Sequence, residues 1–177
     1  MMAQNKLTVA IIAAVILIAA AGTSVFFRRS PAGRPGSTAA TQAEANGKFV
    51  LKAVDAEVDG ATAQYESGNG KDNIGFWTNK SDYVYWPIMV KTDGDYGVEL
   101  TYACDDGSAG SEFSVGISDA AKVTGKVDGT GAWNQFKTVS LGKVRLAAGK
   151  QKLAVKAIEM PREAVMNLKG IELTPAR

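Results

Sequence analysis

The chain contains no histidine, which bounds its chemistry at once. Ser-His-Asp triads, Cys-His dyads and histidine-ligated zinc are excluded. Catalysis would have to rest on carboxylates, lysines, tyrosines or the single Cys104. That thiol has no internal partner, and it ends an alternating apolar run, which reads as a buried small hydrophobe. The acidic residues fall mostly in turns and at outward strand positions, and no pair is marked for glycoside hydrolysis. No glycine loop follows a strand and opens a helix, so a phosphate cradle is missing. No catalytic residue is assigned, and the expectation is a non-enzyme.

What the chain does offer is aromatic. Trp77, Tyr83, Tyr85, Trp86, Tyr96 and Tyr102 crowd into one stretch from Ile74 to Cys104. Trp133 stands apart, in Gly129-Thr130-Gly131-Ala132-Trp133-Asn134. A glycine-rich loop between strands is a place where burial in a core is less expected. An exposed ring of this kind can stack on the apolar C–H face of a pyranose, while a few fixed polar groups meet the hydroxyls. The alternative is that the indole folds back as a lid on the core. Trp77, within Gly75-Phe76-Trp77-Thr78-Asn79, could point either way, and Tyr65 could supply a second ring from the opposite loops. Trp86 shares a face with Val84, Ile88 and Val90, which assigns it to the core.

The elements that must hold these residues are strands. From Lys48 onward the apolar period is two. Tyr96, Val98, Leu100, Tyr102 and Cys104 alternate with smaller or polar residues; Phe113, Val115 and Ile117 repeat the pattern, as do Leu153 and Val155 between lysines. Pro87 inside an otherwise regular strand suggests an edge or a bulge. Asp93-Gly94, Asp106-Gly107, Asp128-Gly129 and Ala148-Gly149 punctuate the series as turns. Eight to ten short strands without a convincing helix indicate an all-β, antiparallel β-sandwich. About 130 residues in one such domain, 48–177, suffice for a core without disulfides.

The ordered set of motifs, the aromatic stretch 74–104, then Thr130-Gly131-Ala132-Trp133, then Val165 to Leu173, resembles carbohydrate-binding modules of families 6 and 35 in the galactose-binding-like group. It looks closest to modules at the C-termini of bacterial secreted sulfatases and fucosidases. The resemblance spans roughly Lys48 to Pro175 and implies jelly-roll connectivity. It also implies that Trp133 forms part of a sugar platform and that Asn167, on the final strand, provides hydrogen bonds. Asn167 faces opposite Met166 and Leu168 in the alternation, so its apolar neighbours need not bury it. Related modules often hold a structural calcium with an early glutamate and a late acid. Glu57 matches the first, but Lys169 stands where the acid would be, and an ammonium cannot ligate calcium. The expectation is no cofactor, with Lys169 paired to Glu57 in place of the ion.

Residues 7–27 form an uncharged apolar run of 21 residues, long enough as a helix to cross the roughly 30 Å hydrocarbon layer. It reads either as an uncleaved signal anchor or as a signal peptide cut after Ala19-Ala20-Ala21. Arg28, Arg29 and Arg34 follow it, against Lys6 before it, an asymmetry that favours a cytoplasmic C-terminal side. The resemblance to secreted modules favours the opposite side. The expected topology is a single-pass anchor in the cytoplasmic membrane with the domain outside, or a secreted or periplasmic product after cleavage. Residues 28–47, rich in proline, glycine and small residues, read as a flexible linker. From Lys48 onward 16 basic and 17 acidic residues leave −1, so nucleic acid is not an expected partner. The expected partner is an oligosaccharide or polysaccharide. The alternative is an envelope protein or hydrolase docked on the same aromatics.

Overall fold

A computed structural model of the protein describes residues 39–176, and the expected apolar span 7–27 lies outside them. Among the described residues no helix is long and apolar enough to cross a membrane. The period of two becomes twelve strands: β1 (Thr41–Gln42), β2 (Phe49–Lys52), β3 (Glu57–Asp59), β4 (Gln64–Gly68), β5 (Lys71–Gly75), β6 (Tyr83–Val90), β7 (Gly94–Ala103), β8 (Glu112–Gly116), β9 (Lys122–Lys126), β10 (Lys137–Leu146), β11 (Gly149–Glu159) and β12 (Asn167–Pro175). Two single-turn 3-10 segments, Ala53–Asp55 and Asp106–Ser108, interrupt them. The count exceeds the expected eight to ten because β1 and β3 are too short to show a period.

The strands form two sheets of six. The first has the order β1-β6-β11-β8-β9, with β3 also on β6; the second has β10-β7-β12-β5-β4, with β2 also on β12. Pairing is antiparallel except for β1 with β6, which is parallel. From β6 to β12 the chain switches sheets at every step except the β8–β9 hairpin, so most neighbours in sequence face one another across the core.

Alternation delivers that core. In β6, Val84, Trp86, Ile88 and Val90 all point inward; in β7, Tyr96, Val98, Leu100 and Tyr102 do the same from the opposite sheet. Fully burying side chains of this size contributes about 1.5–3 kcal/mol each. The Trp86 indole N–H donates to the Lys52 carbonyl at 2.8 Å, so its one polar atom is satisfied. Pro87 falls between β3, which pairs with Tyr83 to Tyr85, and β1, which pairs with Ile88 and Met89. The missing N–H therefore sits at a gap in the ladder on that flank, as a strand proline requires.

Two sequence expectations need correction. The linker does not extend to residue 47: β1 is built into the first sheet, and Glu44 and Gly47 close a backbone turn that leads to β2. Glu57 and Lys169 do not pair. Glu57 lies on β3 in the first sheet and accepts a hydrogen bond from the Tyr85 hydroxyl. Lys169 lies on β12 in the second, with its ammonium 4.5 Å from the centre of the Phe136 ring.

The turn that leads into β2 meets the end of β12. A Cβ on Gly47 would stand 2.9 Å from the Pro175 ring, Lys48 pairs with Glu172, and the Ala176 N–H donates to the Asp95 carbonyl.

Candidate functional site

The loop carrying Trp133 runs between β9 and β10 and is fixed at several points. The Thr130 hydroxyl accepts from the Cys104 N–H at 2.9 Å and donates back to the Cys104 carbonyl at 3.0 Å. The Gly131 N–H donates to Asp106 at 2.9 Å, and Lys137 bridges to Asp128 at 3.1 Å. Asn167, at the start of β12, donates its amide N–H to the Trp133 carbonyl at 2.8 Å. The indole itself remains 37% exposed. Of the two sequence readings for Trp133, the exposed ring is the one the structure adopts.

Opposite sits Phe76, 57% exposed, which sequence reasoning passed over. Phe76 leaves β5 with φ at +52°, a conformation that bulky residues seldom take. This bend turns the Phe76 ring outward and sends the next residue, Trp77, inward. Trp77 is 1% exposed, and its indole N–H donates to the Asp82 carbonyl at 3.2 Å. Trp77 thus contributes to the groove from below, as packing rather than as an exposed platform.

Phe76, Trp133, Phe136 and Met166 give the groove its apolar lining, with a volume of about 440 Å³. Glu66, Lys71, Asn73 and Asn167 are among its polar lining residues. Glu66 binds the Lys71 ammonium with one carboxylate oxygen and accepts from the Asn73 amide at 3.1 Å with the other. Gly75 makes this arrangement possible, because a Cβ there would lie 2.1 Å from the Glu66 carboxylate and 3.0 Å from the Asn167 oxygen. Glu66 and Lys71 are the groove's charged lining residues, and they neutralise one another.

Tyr65 does not join the site. It neighbours Glu66 on β4 and so points to the other side of the strand, where it packs against the core and its hydroxyl donates to Asp72 at 2.8 Å. The four residues expected at the site therefore divide: Trp133 and Asn167 come together at the rim, Trp77 lies beneath, and Tyr65 faces away.

Beneath the groove, Asp82 holds the 61–63 turn. Its carboxylate accepts from the N–H groups of Ala61, Thr62 and Ala63 at 2.8–3.0 Å and from the Thr62 hydroxyl at 2.9 Å. Burial alone would push its pKa up; these donors together overcome that and hold it below the usual carboxylate range. Cys104 is fully buried, and burial, aided by Asp105 and Asp106, pushes its thiol up to about 11. It is an inert core residue.

Among the described residues no group of three or more His, Cys, Asp or Glu side chains converges as a metal site. With Glu57 held by Tyr85 and Lys169 on the other sheet, those two positions do not fit a calcium cradle.

A two-sheet sandwich with a fixed aromatic groove between its loops is the architecture of a ligand-binding module. The family profile of carbohydrate-binding module family 6 matches residues 52–175, and the chain belongs to that family. No curated protein matches. Among solved structures, the C-terminal family-6 module of a marine laminarinase from Zobellia galactanivorans is 21% identical, covering 72% of this chain and 98% of its own, with a TM-score of 0.58. A family-35 module from Cellvibrio japonicus is also 21% identical, covers 73% and 94%, and has the same TM-score. A module of a Cellvibrio mixtus lichenase, solved in complex with cellotriose, is 20% identical, covers 73% and 98%, and has a TM-score of 0.56. At these identities the likeness shows the fold, the jelly-roll sandwich.

Proposed function

We infer that the chain is a non-catalytic module that binds a glycan by stacking sugar rings between Trp133 and Phe76, with Asn167, Asn73 and Glu66 meeting the hydroxyls. One observation carries this reading. Phe76 and Trp133 are the exposed large hydrophobics among the described residues, and both line the same groove. Isolated exposed rings are ordinary, but two converging on a fixed groove mark a binding site. The groove's charges cancel, which suits a neutral sugar. Its one carboxylate is already held by Lys71 and Asn73, whereas glycoside hydrolysis uses two.

The finer setting is part of the same reading. The apolar run 7–27 tethers the module to the cytoplasmic membrane, and the domain meets its glycan outside, as the resemblance to appended modules of secreted sulfatases and fucosidases implies. Protease treatment of intact spheroplasts should digest the domain.

A glycan array with the full-length chain tests the binding, kept soluble in a polyoxyethylene detergent so that no glycoside detergent competes. Cellotriose, the ligand of the Cellvibrio mixtus module, belongs among the probes. Trp133→Ala should abolish the signal while the melting temperature stays within about 2 °C, since an exposed side chain contributes little to stability. Capture of a specific envelope protein with no glycan signal would overturn the reading in favour of a protein-docking groove.

A further inference from the structure

The sequence holds the dipeptide Asn-Gly twice, at Asn46-Gly47 and at Asn69-Gly70. Glycine carries no side chain to shield its backbone nitrogen, so that nitrogen can attack the side-chain carbonyl carbon of the preceding asparagine. The fold treats the two copies differently.

Asn46-Gly47 is locked. The Gly47 N–H donates to the Glu44 carbonyl at 2.9 Å, and the Asn46 side-chain oxygen accepts from the Lys48 N–H at 2.8 Å. Pro175 closes on the same turn, 2.9 Å from where a Gly47 Cβ would stand. The nucleophile and the amide it would attack are both engaged elsewhere.

Asn69-Gly70 is open. These two residues form the loop of the β4–β5 hairpin, in which Gly68 pairs with Lys71. Their φ angles, +51° and +77°, have the both-positive pattern of a type I′ turn. Both residues are exposed, and among the described residues neither the Asn69 side chain nor the Gly70 N–H has a hydrogen-bond partner. A Cβ on Gly68 or Gly70 would meet nothing within 4 Å, so the peptide between Asn69 and Gly70 has room to rotate. The hairpin is also thinly supported. β5 pairs with β12 only at Ile74, so from Lys71 to Asn73 it pairs with β4 alone. A two-stranded ribbon is marginal on its own and opens locally.

We propose that Asn69 is a site of spontaneous deamidation, which places a new carboxylate on the lip of the aromatic groove. The Gly70 nitrogen bonds to the Asn69 side-chain carbon and gives up its proton. The bond from that carbon to the amide nitrogen breaks, and the amide nitrogen takes the proton and leaves as ammonia. Water then opens the five-membered imide at either carbonyl, to aspartate or isoaspartate. Asn69, Gly70 and Lys71 all line the groove. Its balanced pair, Glu66 with Lys71, is thereby joined by one further negative charge. The isoaspartyl form also lengthens the backbone of a two-residue turn. What this does to a bound sugar rests on the glycan reading; the modification itself does not.

The test holds the full-length chain in polyoxyethylene detergent at pH 8 and follows each asparagine by peptide mapping and mass spectrometry. Asn69 should convert at least about tenfold faster than Asn46, because two hydrogen bonds must break before Asn46 can react. A protein isoaspartyl methyltransferase should label the peptide that contains position 69. In guanidinium chloride, where turn and hairpin are both lost, the two rates should converge. Asn69→Gln, whose longer side chain closes a six-membered ring far more slowly, should abolish conversion at 69 and leave Asn46 as it was. Equal rates in the native protein would overturn the proposal. So would conversion of Asn46 first, or an Asn69 that reacts only in guanidinium chloride.

Discussion

Consecutive residues in an extended chain point to opposite sides, so of Phe76 and Trp77 only one ring could face solvent. The sequence could not say which. The left-handed backbone at Phe76 decides it, and such a conformation leaves no mark when the residue adopting it is not glycine. Trp133 was legible for the converse reason, since glycines surround it. Phe76→Ala should weaken glycan binding about tenfold, roughly one stacking interaction, with thermal stability retained; calorimetric titration reads the first and a melt the second. Gly75→Ala should also weaken binding, because the added methyl displaces the Glu66 carboxylate that Lys71 and Asn73 hold. Cys104 should resist iodoacetamide at pH 8 in the native protein and react only after denaturation, as a buried thiol raised to about 11 must.

At the level of elements, the strands read correctly from sequence were those with one face in the core. β6, β7, β8 and β11 place their large apolar residues inward in the expected alternation. The strands that escaped notice are peripheral. β10 and β4 end the order of the second sheet, and most of their residues are exposed or half-buried, so hydrogen bonding rather than apolar spacing defines them. In the Asp82 turn, three backbone donors and one hydroxyl converge on a single carboxylate. Asp82→Asn puts an amide N–H among those donors and should cost about 1.5–3 kcal/mol, measured by urea denaturation at pH 7. Because the folded state depresses this pKa, its contribution is complete above the ordinary value of 3.8 and fades as pH falls towards the folded value. The difference between wild type and Asp82→Asn should therefore shrink at pH 3. Leu100→Ala, in the middle of β7, should cost about 2–5 kcal/mol.

For the whole molecule, the two sheets close a core between Phe49 and Leu173 without a disulfide, and Cys104 is the one cysteine in the chain. The expected exchange of a calcium ion for a Glu57–Lys169 pair rested on both positions meeting, and they lie on different sheets. We nonetheless propose that stability is independent of calcium, because Tyr85 already satisfies Glu57 and Phe136 already caps Lys169. Millimolar calcium or EDTA should leave the melting temperature unchanged; a shift of several degrees that EDTA reverses would refute this. The all-β sandwich followed from periodicity and the jelly-roll connectivity from the resemblance alone, because the path between sheets leaves no signature in hydrophobic spacing.

Where Gly47 abuts Pro175 bears on how the domain is aimed. β12 runs from Asn167, at the mouth of the groove, to Pro175, beside Gly47 in the turn between β1 and β2. Nine residues of strand are on the order of 30 Å. The groove and this closure therefore lie at opposite ends of the sandwich. β1, however, runs parallel to β6 and starts beside Ile88, so the described chain comes in along the edge of the first sheet, and any leash attached upstream pulls on that flank and leaves the pole bearing Trp133 and Phe76 clear.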